Sequence, residues 1–182
     1  MKNVLLFIFF SIVFLGCSTN EPKKEEVKTD STAKKEVLNY PFTPKYSLDW
    51  QPGDEQNAVL VLNSLKKYVD GDIKGAFSDF GDSIIFVTDE FLFKGRKDSL
   101  EALMTSMRTQ LTSMSFAPDT WLTAYYPDKK DTWVTVWGIQ KWITKKGITD
   151  SFYLVEDIKV KDGKILEIDE KMRRYPHPKP KK

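Results

Sequence analysis

The chain opens with a block in which nearly every position is apolar, passes through a long polar stretch, and then settles into segments whose hydrophobic period changes from helical to alternating. Val4 to Leu15 (VLLFIFFSIVFL) is apolar apart from Ser11, too short to span a bilayer and of the length of a secretion-signal core. Residues 18–39 (STNEPKKEEVKTDSTAKKEVLN) are rich in Lys and Glu and nearly free of large apolar side chains. Such a segment cannot bury enough surface to offset the entropy of ordering, which predicts a flexible tether. Residues 40–53 (YPFTPKYSLDWQPG) carry aromatics and three prolines with no regular period. They predict an irregular strap packed on the domain, or else a docking segment that reaches a partner.

Periodicity begins at Asp54. Ala58, Val61, Leu65, Tyr68 and Val69 recur at helical spacing, with Asp54 as the cap and Asp70-Gly71 as the stop. Asp72 caps a short second helix that places Ile73, Ala76, Phe77 and Phe80 on one face. The run Ser83 to Val87 and the triplet Phe91-Leu92-Phe93 flank Thr88-Asp89-Glu90 and predict a small hairpin. Gly95-Arg96 leads into a third helix, with Leu100, Leu103, Met104, Met107, Leu111 and Met114 as one buried core stripe. Four strands follow, within 115–126, 132–144, 150–160 and 165–175, the last two joined through Asp162-Gly163, a pair that tolerates positive φ at both turn positions. Three helices followed by a meander of long antiparallel strands define an α+β domain over residues 54–175, with a basic tail at 176–182.

Composition narrows the function without naming it. A chain of 182 residues, 41% of them hydrophobic, can bury a core without covalent staples, and 28 Lys and Arg against 26 Asp and Glu leave a formal +2, not the basic field that nucleic acid requires. A single Cys excludes an internal disulfide framework and a Cys-based zinc site. The only His, His177, lies in the Pro- and Lys-rich tail, so no His dyad, triad or His-based metal site is available and no cofactor is implied. Arg173, Arg174, Lys179, Lys181 and Lys182 make the last ten residues basic. That is a solvated tail, or a contact with anionic head groups.

The apolar run ends at Phe14-Leu15-Gly16-Cys17, which resembles the lipobox of bacterial lipoproteins, with Phe14 where that family usually has Leu. The resemblance implies that residues 1–16 are a removed signal peptide, that Cys17 is lipidated and becomes the first residue, and that residues 17–39 tether the domain to a membrane. The implied location is the bacterial cell envelope, at the outer membrane, facing the periplasm or displayed on the surface. Several acyl chains make such an anchor stable where one would be marginal.

The order of elements resembles the SnoaL-like, nuclear transport factor 2-like superfamily over about residues 54–175. The likeness rests on Tyr68-Val69-Asp70-Gly71-Asp72, the helix running through Phe77 to Asp82, Gly95-Arg96 before the third helix, and Val160-Lys161-Asp162-Gly163-Lys164-Ile165. It implies three helices packed in a strongly curved antiparallel sheet, a cone whose open end is a pocket. The superfamily includes ketosteroid isomerases, polyketide cyclases, dehydratases and many members without catalysis. Aligned from the Gly71-Asp72 corner, the isomerase tyrosine falls on Ser64 and its general-base aspartate on Thr88. Thr cannot abstract a proton at neutral pH, so isomerase chemistry is disfavoured unless a one-residue shift brings in Asp89.

The second isomerase carboxylate lies on the strand before the Asp-Gly hairpin. If Ile158 and Val160 face the core, period two places Glu156 beside them and Asp157 opposite. Glu156 is then a pocket carboxyl with a raised pKa, or a rim residue paired with Lys or Arg. Trp121, Trp133, Trp137 and Trp142 with Tyr125 and Tyr126 exceed what one small core needs. Trp133 and Trp137 share a face that Trp142 does not. The expected pocket set is Glu156, Ile158, Trp133, Trp137 and Tyr125, and a homodimer through the outer sheet face would use the same aromatics. The expectation is a membrane-anchored, non-catalytic protein that binds a small apolar ligand or a protein partner. Its rivals are a divergent isomerase, cyclase or dehydratase using Glu156, and a structural subunit of an envelope assembly.

Overall fold

A computed structural model describes residues 38–174. The expected lipobox with Cys17, the expected tether up to residue 37, Tyr175 and the tail with His177 lie outside the described residues, and the folded unit begins at Phe42. Among the described residues no helix is long and apolar enough to cross a membrane.

Residues 40–50 have no regular structure and leave Phe42 and Trp50 exposed, but Tyr46 packs on Tyr126 with ring centroids 4.7 Å apart. The two-residue strand β1 (Gln51–Pro52) joins the segment to the sheet edge. Helix α1 (Gln56–Asp70) follows. Gly71 ends it at φ 91°, and its N–H and that of Asp72 close on the carbonyls of Tyr68 and Lys67. A β-carbon is disfavoured in that conformation, which is why Asp-Gly reads as a stop. The Asp72 carboxylate accepts from the Gly75 N–H at 2.9 Å and so caps helix α2 (Ile73–Ala76), which runs into a 3₁₀ turn over Phe77–Asp79.

Strands β2 (Phe80–Val87) and β3 (Leu92–Arg96) form the expected hairpin, and helix α3 (Lys97–Arg108) follows. The Leu/Met stripe does not stay helical. Leu100 and Met104 are buried on α3, whereas Leu111 and Met114 belong to β4 (Leu111–Tyr126), where Met114 pairs with Trp142. Local spacing continued the helical period through Thr109 and Gln110, and pairing with the neighbouring strand overrode it.

Strands β5 (Asp131–Thr144), β6 (Thr149–Lys161) and β7 (Lys164–Arg174) complete an antiparallel meander with β4. Asp162 and Gly163 turn the last hairpin at φ 50° and 68°, as the sequence pattern requires. The seven strands lie in the order β1-β4-β5-β6-β7-β2-β3. The expectation of a purely antiparallel sheet is corrected at one seam, because β2 pairs in parallel with β7, Phe86 opposite Ile168. Hairpins announce themselves in the turn between two strands, whereas this pair is separated by most of the domain and has no local signal.

The fold is α+β with a mixed sheet. Its core gathers Ala58 and Val61 of α1, Leu100 and Met104 of α3, and Ile84, Val134, Val136, Ile158, Val160 and Ile165 of the strands. Burial alternates from Val134 to Gln140 on β5 and from Phe152 to Val160 on β6, so Val134, Val136, Leu154, Ile158 and Val160 point inward.

Candidate functional site

Between the helices and the inner face of the sheet lies a cavity of about 360 Å³. Helix α1 contributes Val61, Leu65 and Tyr68 to its wall, α3 contributes Met104 and Met107, and the strands contribute Phe86, Trp142, Phe152, Ile158, Ile168 and Met172. The wall is mainly apolar and aromatic. Its methionines, with three rotatable bonds each, adapt to irregular shapes at little cost.

Several polar groups on the wall are already occupied. The Ser64 hydroxyl donates to the Ala76 carbonyl at 2.8 Å, and the Thr88 hydroxyl accepts from the N–H groups of Glu90 and Phe91, each at 3.1 Å. Arg174 pairs with Glu90 at 3.2 Å and with Asp150 at 3.6 Å. The Tyr68 hydroxyl reaches only the Met104 sulfur, at 3.8 Å. Ser64 and Thr88 thus lie on the cavity wall at the two positions that the isomerase pattern assigns to its tyrosine and its base, and both are tied into local structure.

Glu156, Glu170 and Gln140 remain. Glu156 faces inward with Ile158, as period two required, and is 8% exposed. Its partner across the β6–β7 ladder is Glu170, so the two carboxyls rise from directly opposed positions on the same face. Among the described residues neither receives a hydrogen bond or ion pair from protein. Burial, and then the charge of Glu170, push the Glu156 carboxyl up to about 8. Burial, and then Asp89, push Glu170 up to about 7. Two carboxyls this close release their protons as a pair, and near neutrality the pair retains a proton, offering one donor and several acceptors. The Tyr68 phenol is raised to about 12, first by burial and then by Glu170, against an opposing pull from Arg108. It stays neutral throughout the physiological range.

Ile158 lines the cavity as expected, whereas Trp133, Trp137 and Tyr125 lie elsewhere. Because Val136 is directly opposite Glu156, an inward Glu156 places Trp137, opposite Val155, on the outer face. Trp133 shares that face, edge-on to Tyr46 at 6.2 Å and beneath Lys159 at 5.7 Å. Tyr125 sits at the far end of β4, opposite Thr132 and beside Gln51, away from the cavity wall. The tryptophan that does reach the cavity is Trp142. The split of faces on β5 is as its alternation implies, but the pocket is on the other side. Asp89 lies beyond the end of β2, exposed, where its carboxylate accepts from the Met172 N–H at 2.9 Å. It is not on the cavity wall, so a one-residue shift does not rescue a general base.

Comparison with known proteins fixes the fold and no more. No family model and no curated protein matches the chain. Among solved structures, an epoxide hydrolase of the LEH-like type from M. tuberculosis aligns with a TM-score of 0.55 and 14% identity, covering 68% of this chain and 82% of that one. TerC, crystallised with polyporic acid, aligns at 0.53 and 21% identity, covering 64% and 91%. A nuclear transport factor 2-like protein from Burkholderia xenovorans aligns at 0.53 and 19% identity, covering 68% and 93%. The chain therefore has the nuclear transport factor 2-like fold, as the order of its elements implied.

Proposed function

We propose that this chain is a lipid-anchored protein of the bacterial cell envelope whose cone-shaped domain holds a small, largely apolar ligand. The observation that carries the reading is the cavity itself. Its volume of about 360 Å³ and its apolar, aromatic wall with a few unoccupied polar groups are the attributes of small-molecule sites. The anchor rests on Cys17 at the end of the apolar run, with residues 17–39 as the tether. The test is native mass spectrometry of gently purified protein, compared with the same sample denatured. The expected result is a noncovalent adduct that disappears on denaturation. A chain that is always free of adduct, and that takes up none from an envelope lipid extract, would refute the ligand reading. The same spectrum counts subunits, and a dimer would assign the outer-face Trp133 and Trp137 to an interface.

One observation favours a second reading, a divergent acid/base enzyme. The Glu156–Glu170 pair lies in the cavity beside Tyr68, and solved proteins with this fold include an epoxide hydrolase. That reading requires a turnover whose rate has a bell-shaped dependence on pH and is abolished by Glu156→Gln.

A further inference from the structure

We propose that the ligand of this cavity is an organic cation, an apolar amine whose protonated nitrogen lies against the facing carboxyls of Glu156 and Glu170. The proposal deepens the ligand-binding reading and rests on it.

The argument starts from an imbalance of charge. Two carboxyls directly opposed across a ladder repel each other when ionised, and a buried carboxylate is stable only if something replaces its water. Among the described residues, no side chain or backbone group does so. Glu156 is 8% exposed, has no hydrogen-bond or ion-pair partner among the described residues, and borders open space. The charged groups around the pair do not neutralise it. From α3, Arg108 donates to the carbonyls of Val69 at 3.0 Å and Tyr68 at 3.4 Å. From β7, Arg174 is held by Glu90 and Asp150. The turn after β2 adds Asp89 and Glu90, α1 adds only the neutral Tyr68 phenol, and β5 adds the uncharged Gln140. Seven charged side chains thus lie on or just behind this part of the wall, five of them acids.

A cation placed between the two carboxyls removes their repulsion and supplies hydrogen bonds to both. A metal ion is the poorer fit, because among the described residues no group of three His, Cys, Asp or Glu side chains is placed to hold one. An ammonium on an apolar body matches the carboxyl pair and the apolar, aromatic part of the wall. Trp142, Phe152, Phe86 and Phe91 offer aromatic faces to the charge and to the carbon skeleton, and Met104, Met107, Met114 and Met172 adjust to its outline. Gln140, 9% exposed and without a side-chain partner among the described residues, lines the cavity four positions along β5 from Val136, or about 13 Å of strand. It gives a second polar contact to a ligand with a hydroxyl or carbonyl at its other end.

Binding also moves a proton. The ammonium brings its own positive charge, both carboxyls ionise against it, and the proton that the pair held passes to solvent. Complex formation near neutrality therefore releases up to one proton.

The test is calorimetric titration of the full chain with 1-adamantylamine, 1-adamantanol and 1-adamantanecarboxylate, and with the matching n-octyl series. The expected order at pH 7.5 is amine ahead of alcohol by roughly tenfold or more in affinity, with the carboxylate last. The amine should tighten from pH 6 to pH 8 while the alcohol does not. Titrations in buffers of different ionisation enthalpy should show proton release for the amine alone. The Glu156→Gln, Glu170→Gln double variant should bring amine and alcohol within about threefold of each other while still binding the alcohol, which also shows that it folds. Equal binding of amine and alcohol by the native chain would overturn the cation proposal and leave the ligand reading standing. Failure of both series to bind would overturn both.

Discussion

Glu156 and Glu170 owe their properties to position. On an exposed strand they would be two ordinary acids; opposed across a ladder and buried against Tyr68, they hold protons at pH values where surface carboxyls are bare. This fixes the sign of a stability change. A carboxyl whose value is raised on folding, here from 4.5 to about 8 for Glu156, binds more protons folded than unfolded. Its stabilising contribution is complete below 4.5 and is lost as pH rises through about 8. In the absence of ligand the thermal midpoint should therefore fall by roughly 5 °C between pH 5 and pH 8.5, and Glu156→Gln should flatten that fall. A midpoint that rises over this range in the native chain would contradict the pairing. Glu156 was legible in the sequence because Ile158 and Val160 set the inward parity of its strand. Glu170 was not, since Glu167, Asp169 and Glu170 crowd one strand and only the cross-strand register with Glu156 singles one of them out.

Whole elements were legible where their signals are local. The Gly71 stop, the Asp72 cap and the Asp162-Gly163 turn all depend on a few adjacent residues, and all three are found where the sequence places them. The boundary between α3 and β4 was not legible, because the Leu/Met stripe keeps a helical period across a junction that strand pairing decides. Nor was the tight contact at Gly138. A β-carbon there would lie 2.5 Å from the Ala117 carbonyl oxygen and 2.6 Å from the Phe116 ring, beside the irregularity between Pro118 and Thr120. Gly138→Ala should accordingly cost about 1–3 kcal/mol, read from the denaturant midpoint. Gly147→Ala is the control. With open space around it and φ 79°, it should lose only about 1 kcal/mol, from backbone strain alone.

At the scale of the molecule, the proposed lipid anchor at Cys17 makes a prediction that is independent of the cavity. Replacing Cys17 with Ala should move the protein from the detergent phase to the aqueous phase on phase separation, and should leave the thermal midpoint of the domain unchanged. Unchanged partition would remove the anchor and leave the domain as described. The parallel seam between β2 and β7 bears on how such a chain matures. On the proposed export route the amino end leads, so the anchor residue, the tether, α1 and β2 would arrive while β7 is still in transit. Most of the sheet can pair as successive hairpins, β2 with β3 among them, but the other edge of β2 must wait for a partner near the far end of the chain. During that interval Phe80, Ile84 and Phe86 have no permanent cover. Under the anchoring proposed above, tethering would precede closure, and the newly delivered chain would be most exposed to proteases and holding chaperones of the envelope just before its last strand arrives.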